Sequence, residues 1–218
     1  MLLSEAETKL NSIDKNQAPI PSTNKGGRGQ WVEKQLGMEL SSKLNDFDDG
    51  ELKVFKESEP IAVTMLLHCF DEVFDRSISF SESKVGKKLK NVLFVKFAKK
   101  TGKFVDSLVT NSESHRELYY KLSQDYNDVC EEICKRYDNN EQHEHIIEKK
   151  GQPPIHTGNY YNLSTISGRN GYLQIRSKAN KSKKTGKYKP LCYNGREVYQ
   201  CAMAFYLRNE FARKIFDN

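Results

Sequence analysis

The sequence predicts an α/β or α+β fold arranged around a mixed β-sheet, because segments with helical apolar spacing are interspersed with short apolar strands. The 218 residues are 37% hydrophobic and include 11 Tyr and 11 Phe, so the chain has enough apolar side chains to bury a core. At about 150 residues per domain, this length fits one large domain or two small lobes.

Two helices are predicted near the N-terminus. Apolar residues recur every three or four positions over residues 2–13, and Pro19 ends this helix because proline cannot continue helical hydrogen bonding. A glycine-rich loop at 22–29 opens the second helix, which covers 30–37. Within it, we expect Trp31 to pack against its apolar neighbours rather than to stack on a base.

Strands dominate the middle of the chain. Turn-forming residues at 46–50 lead into an alternating strand at 51–56, and residues 61–69 form a second apolar strand. Residues 92–98 and 104–109 are two further strands, and the short glycine-containing loop between them predicts a hairpin.

The longest predicted helix lies at residues 115–137, where apolar side chains follow three- and four-residue spacing. The acidic segment at 138–148 is predicted to be an exposed linker. A strand at 171–176 precedes a basic loop, apolar character resumes at 198–207, and a final helix covers 209–216.

Several classes of protein are excluded. The longest apolar stretch, at 61–70, is interrupted by Thr64 and His68 and falls short of the ~20 residues that a membrane span needs. Acidic residues at the N-terminus do not suit a signal peptide, so a cytoplasmic location is expected. The five cysteines are scattered and form no disulfide framework.

Positive charge is concentrated in one segment. The net charge is +6, and the stretch from Arg176 to Arg196 contains basic residues and no acid. Its basic residues are Arg176, Lys178, Lys181, Lys183, Lys184, Lys187, Lys189 and Arg196. Such a loop, held between structured elements, suits a nucleic-acid groove, and the alternative is a solvated loop without a partner.

The segment 44–53, LNDFDDGELK, has the pattern of a phosphodiesterase site. Glu51 and Lys53 are two residues apart on the predicted strand, so both side chains emerge from one face while Leu52 turns to the core. An acidic residue across the preceding turn can fold back beside them and complete a Mg²⁺ site. The alternative is a surface turn leading into an amphipathic strand.

Four segments in a fixed order carry a family resemblance: KGGRGQWVEKQLG at 25–37, SKVGKKLKNVL at 83–93, YLQIRSKA at 172–179 and AFYLRNEF at 204–211. With the acidic turn and Glu-Leu-Lys, they resemble the MutH mismatch-repair nuclease and its GATC-cutting restriction-enzyme relatives, members of the PD-(D/E)xK nuclease superfamily. The resemblance implies a restriction-endonuclease-like fold, with a mixed β-sheet flanked by helices and two lobes around a DNA cleft. It places a catalytic lobe at about 1–110 and a DNA-recognition lobe at about 111–218.

The resemblance also implies which residues act. Asp46 and Glu51 match the Mg²⁺ ligands, Lys53 the lysine of the catalytic strand, Lys88 a lysine near the scissile phosphate, and Glu33 a helix glutamate that faces the metal site. The interval from Asp46 to Glu51 is two residues shorter than in the mismatch-repair member, so two neighbouring aspartates, Asp48 and Asp49, stay open as alternatives to Asp46.

DNA contacts are implied in three places. Arg176 and Lys178 match a loop that enters the major groove, although Ser177 replaces the family's proline and the lysine-rich insertion after it is longer. Tyr206 matches a tyrosine near the adenine. The full set of expected DNA-binding residues is Lys25, Arg28, Arg176, Lys178, Lys181, Lys183, Lys184 and Tyr206.

The expected function is Mg²⁺-dependent hydrolysis of duplex DNA at a GATC-like site, as a type II restriction endonuclease that could act as two copies on a palindrome. One alternative is a methylation-directed nicking endonuclease of mismatch repair, and another is a non-catalytic DNA-binding module. A zinc site at Cys130, Cys134, His143 and His145 is disfavoured, because the two histidines are separated by one residue instead of ~3–5. The glycines at 26–29 lack the Gly-Lys-Ser/Thr ending of a P-loop.

Overall fold

The structure is a computed structural model that describes residues 1–14, 27–38, 46–75, 77–147, 150–153, 155–161, 163, 166–177, 189–193, 196–200 and 203–216. Within these ranges, small mixed and antiparallel sheets are flanked by helices. The helices are α1 (Leu3–Asn11), α2 (Gly27–Leu36), α3 (Phe70–Phe74), α4 (Lys84–Leu89), α5 (Arg116–Asp138) and α6 (Asn209–Phe216). A 3₁₀ turn covers Leu66–His68. No helix in the described ranges is long and apolar enough to cross a membrane.

The strands form four sheets. They are β1 (Glu51–Lys56), β2 (Ile61–Met65), β3 (Asn91–Phe97), β4 (Phe104–Asn111), β5 (Gln142–Ile147), β6 (Ile155–Tyr161), β7 (Leu173–Ser177), β8 (Lys189–Tyr193), β9 (Arg196–Gln200) and β10 (Met203–Leu207). The strand orders are β1-β3-β4, β2-β10-β7, β5-β6 and β8-β9.

The chain folds into two compact units, each assembled from separate segments. Unit 1 contains residues 1–61, 87–120 and 207–218, and unit 2 contains residues 62–86 and 121–206. The sequence predicts two continuous lobes that meet near residue 110, whereas the chain passes between these units four times.

Unit 1 is a three-stranded sheet with helices on both faces. Strand β3 lies in the middle, parallel to β1 and antiparallel to β4. On one face, Leu52 and Leu93 join a core with Leu10 of α1 and Leu36 of α2. On the other face, helix α6 packs through Phe211, whose ring lies 5.5 Å from that of Phe94. Trp31 packs edge-on against Phe97 of the same core, which confirms its expected packing role.

Unit 2 is built around helix α5. Its apolar face is buried at Leu122, Tyr126, Val129 and Ile133. The Tyr126 ring contacts Phe205 of β10 and Phe80. These contacts fasten the β2-β10-β7 sheet to the helix.

Several sequence predictions need correction. Helix α2 begins at Gly27, inside the glycine-rich loop predicted at 22–29, and β8 lies inside the segment predicted as a basic loop. The strand predicted at 61–69 ends at Met65, and the chain then turns into α3 because its buried side chains at Leu66, Phe70 and Val73 follow helical spacing. The acidic segment at 138–148 is not a linker throughout, because residues 142–147 form β5, paired antiparallel with β6. Backbone pairing with β6 overrides the polar composition of this segment.

Candidate functional site

Glu51, Lys53 and Lys88 form a partly buried charge cluster at the start of β1. The Lys53 Nζ atom donates to Glu51 Oε2 at 2.9 Å, and Lys88 Nζ donates to Glu51 Oε1 at 2.7 Å. The Glu51 side chain is only 6% exposed, compared with 11% for Lys53 and 26% for Lys88. Both oxygens of one carboxylate are therefore engaged by ammonium groups, and the cluster carries one excess positive charge.

The strand geometry explains this cluster. Glu51 and Lys53 share one face of β1, and Leu52 between them is buried in the core on the other face. This alternation is the one predicted from the sequence. Neighbouring β3 runs parallel, with Val92 and Phe94 opposite the two charged residues. The structure confirms the prediction that Glu51 and Lys53 emerge from one face of the strand while Leu52 is buried.

Lys88 reaches Glu51 from the last turn of α4. Ser83 begins this helix, because its hydroxyl oxygen accepts a hydrogen bond from the Gly86 N–H at 3.0 Å. Gly86 is required at its position, since a Cβ atom there would collide with the carbonyl oxygen of Phe80. This close contact sets the start of α4, and two residues later the helix presents Lys88.

The three aspartates of the turn at 46–50 have different partners. Asp46 Oδ2 folds back onto β1 and accepts the Leu52 N–H at 2.9 Å. Asp48 Oδ2 instead pairs with the α-amino group of Met1 at 2.7 Å, and this hydrogen bond raises the pKa of that amine. Asp49 Oδ1 accepts the Leu3 N–H at the start of α1. Of the three carboxylates, Asp46 is the one held against β1.

The donor chemistry of Asp46 and Glu51 fits Mg²⁺. Both supply hard carboxylate oxygens, and Mg²⁺ commonly uses one or two carboxylates together with waters and substrate phosphates. Among the described residues, no group of three or more His, Cys, Asp or Glu side chains is placed to hold a metal ion. Glu33 on α2 is half-buried and adds no third carboxylate to such a group.

The expected DNA-recognition residues Arg176 and Tyr206 lie together in unit 2. They are on β7 and β10, which are neighbours in one sheet, and the Arg176 guanidinium lies 5.6 Å from the centre of the Tyr206 ring. This distance permits a cation–π contact. Burial raises the pKa of the Tyr206 hydroxyl, so it stays protonated and can donate a hydrogen bond.

The other expected DNA contacts are only partly described. Arg28 lies in the first turn of α2, and its Nε atom is buried without a hydrogen-bond partner in the described part of the chain. Most of the basic set falls outside the described residues, namely Lys25, Lys178, Lys181, Lys183 and Lys184.

Asp125 is an important residue that sequence reasoning missed. Its side chain is fully buried on α5 and accepts N–H groups of Asn170, Tyr172 and Leu173 at 2.7, 2.6 and 2.9 Å. It thereby holds the loop that leads into β7. A Cβ atom at Gly168 would collide with Asp125, so this loop lies directly against the helix. The available signal was a carboxylate on the apolar face of the predicted helix.

The cysteines of α5 are free thiols. Cys134 is buried and donates to the carbonyl oxygen of Val73, whereas Cys130 is half-buried. Desolvation raises the pKa of Cys130, and that of Cys69 just before α3, to about 12. His143 and His145, the other members of the disfavoured zinc site, lie on β5, and their side chains are outside the described ones.

Sequence comparison adds no relative to this description. No family model matches the chain, and no curated protein is significantly similar to it.

Proposed function

We propose that this protein is a Mg²⁺-dependent endonuclease that hydrolyses duplex DNA at a short specific site, as a type II restriction enzyme. The observation that carries the proposal is the cluster of Glu51 with Lys53 and Lys88 at the start of β1, where the Asp46 carboxylate accepts the N–H of the adjacent Leu52. Asp46 and Glu51 would supply metal ligands, and Lys53 and Lys88 would supply cations for a phosphate, which hydrolysis of a phosphodiester needs. We also propose that the chain has a restriction-endonuclease-like fold.

Each side chain has a distinct role in the proposed reaction. Asp46 and Glu51 would hold the Mg²⁺ ion, which when bound stabilises negative charge on the phosphate. Lys53 orients the attacking water and offsets charge as the phosphorane forms, because its ammonium sits at the rim of the same carboxylate. Lys88 binds a phosphate oxygen, and Glu33 orients water from α2.

Recognition is proposed to reside in unit 2. Arg176 and Tyr206 present a guanidinium and a protonated phenol side by side on adjacent strands. A guanidinium can make paired hydrogen bonds to guanine in the major groove, and a phenol can contact an adenine amino group. On the resemblance to the MutH family, we propose a GATC-like site whose cleavage changes when its adenine is methylated.

Plasmid cleavage tests the proposal directly. Purified protein with Mg²⁺ should cut a plasmid of known sequence into discrete fragments, and EDTA should stop the reaction. Mapping the ends identifies the site. Double-strand cutting without added protein supports a restriction enzyme, and nicking that needs added proteins supports the repair alternative. Specific binding without any cleavage would contradict the proposal and leave a DNA-binding module.

The aspartates of the turn should differ in effect. We expect Asp46→Asn to be inactive, because its carboxylate lies against β1, where a Mg²⁺ ligand is needed. Asp48→Asn and Asp49→Asn should retain activity, since their carboxylates engage the N-terminal amine and α1. Cleavage rates with Mg²⁺ measure this order. The reverse order would show that the shorter turn places another aspartate at the metal.

Base contacts and phosphate contacts should also differ. Arg176→Ala and Lys178→Ala should reduce discrimination between the cognate site and a one-base variant, each lost base contact costing about 1–3 kcal/mol. Lys183→Ala should weaken binding to all duplexes and lower the salt slope by about one. Fluorescence anisotropy over a salt series measures both effects. If all three variants lose affinity for every duplex equally, the proposed separation of base contacts from phosphate contacts is wrong.

A further inference from the structure

We infer that Lys88 and a divalent cation compete for the Glu51 carboxylate, so that metal binding releases the Lys88 ammonium to bind a substrate phosphate. The inference deepens the proposed function and rests on it for the identity of that phosphate. The competition itself follows from the contacts of Glu51.

The Glu51 carboxylate has no oxygen that is free of an ammonium partner. Oε1 lies 2.7 Å from Lys88 Nζ, and Oε2 lies 2.9 Å from Lys53 Nζ. A Mg²⁺ ion binds a carboxylate oxygen at about 2.0–2.1 Å. A divalent cation at that distance would repel an ammonium group held by the same oxygen, and burial limits the water that could screen the repulsion. This repulsion favours the departure of one lysine when the cation binds.

Lys88 is the lysine that can leave more easily. Lys53 follows Glu51 by two residues on the same strand, and its side chain is 11% exposed. Lys88 reaches the site from a separate six-residue helix, and its side chain is 26% exposed. Its flexible stem can rotate outward and carry the charge into solvent or onto an anion. In this exchange the cation replaces Lys88 at Glu51, and a phosphate replaces Glu51 as the partner of Lys88.

The exchange couples the affinities for metal and for DNA. In the DNA-free protein, Mg²⁺ binding at Glu51 works against the ion pair with Lys88, so affinity for the cation is lowered. A phosphate that accepts Lys88 removes this competition, and by linkage the cation strengthens phosphate binding equally. Removing the Lys88 charge should therefore raise Mg²⁺ affinity in the absence of DNA.

Isothermal titration of Mg²⁺ into the DNA-free protein tests this expectation. Lys88→Met should bind Mg²⁺ more tightly than the unmodified protein, by a factor within the roughly 5–150-fold range of typical site coupling. Lys87→Met is the matched control, because Lys87 precedes Lys88 on α4 and is exposed. Its Mg²⁺ affinity should be unchanged. Equal or weaker affinity in Lys88→Met, no Mg²⁺ binding by any protein, or an equal gain in Lys87→Met would overturn the inference.

Two further measurements separate this inference from the proposed function. Ca²⁺ should strengthen binding of a duplex to the unmodified protein, and this enhancement should be smaller in Lys88→Met, where no ammonium is released from Glu51. Cleavage of plasmid DNA by the unmodified protein is assayed independently. Cleavage without an affinity gain in Lys88→Met overturns the exchange alone, whereas a gain without cleavage supports the exchange and contradicts the nuclease. If circular dichroism shows that Lys88→Met is unfolded, Lys88→Gln decides by the same titration.

Discussion

Lys53→Ala is expected to abolish DNA cleavage while leaving specific DNA binding largely intact. The Lys53 ammonium is held 2.9 Å from Glu51, where it can act on the attacking water and on charge that develops in the transition state. Loss of a positioned proton-transfer group alone lowers a rate by about 10²–10⁴-fold. Here the same substitution also removes a positive charge from the site. Single-turnover cleavage with Mg²⁺ and anisotropy with an uncleaved duplex measure the two effects.

The control for this variant is on the same strand. Lys56 lies at the other end of β1 and pairs with Glu59 at 3.4 Å near the surface. Lys56→Ala should cleave at the unmodified rate. Lys53→Ala should remain folded because Glu51 keeps its ion pair with Lys88. Near-normal cleavage by Lys53→Ala would show that the cluster is not the catalytic centre.

Asp125→Ala is expected to cause the largest loss of stability. Its carboxylate accepts three backbone N–H groups of the loop at 170–173, and the substitution leaves all three without this acceptor. Each buried donor left unsatisfied costs about 1–3 kcal/mol, so the free energy of unfolding should fall by about 3 kcal/mol or more. Urea denaturation followed by circular dichroism measures the loss.

A neighbouring aspartate provides the comparison. Asp128 lies one helical turn from Asp125 and pairs with Arg169, whose side chain is 67% exposed and whose guanidinium lowers the pKa of Asp128. Because exposed ion pairs contribute little, Asp128→Asn should cost less than about 1 kcal/mol. Equal losses in Asp125→Ala and Asp128→Asn would contradict the anchoring role of Asp125. The loop leads into β7, so Asp125→Ala should also weaken duplex binding through Arg176.

Local periodicity was sufficient to predict the bounds of some strands and helices. Strand β1 and helix α6 occupy the predicted ranges, because alternation and helical spacing are complete within those short segments. Segment 61–69 was assigned as one strand because a continuous apolar run does not distinguish a strand from a buried helical turn. Strand β5 was missed because its partner β6 begins several residues later and its own sequence is polar.

In the candidate site too, some features follow from local sequence and others depend on tertiary structure. The sequence determined that Glu51 and Lys53 share a face while Leu52 is buried, because this follows from the two-residue period of a strand. Only the tertiary structure placed Lys88, which is 37 residues from Glu51, on that carboxylate.

The choice among the turn aspartates was likewise a tertiary one. The sequence determined that the turn is acidic, but local spacing does not distinguish its three carboxylates as ligands of the proposed metal ion. The tertiary structure distinguished them, because Asp48 and Asp49 meet the N-terminal amine and α1 while Asp46 meets β1. The partners of Asp125 also depend on tertiary structure, because they lie in a loop that begins 45 residues away. A periodic pattern reports which face a side chain occupies, whereas its partner depends on how distant segments pack, and no local period contains that information.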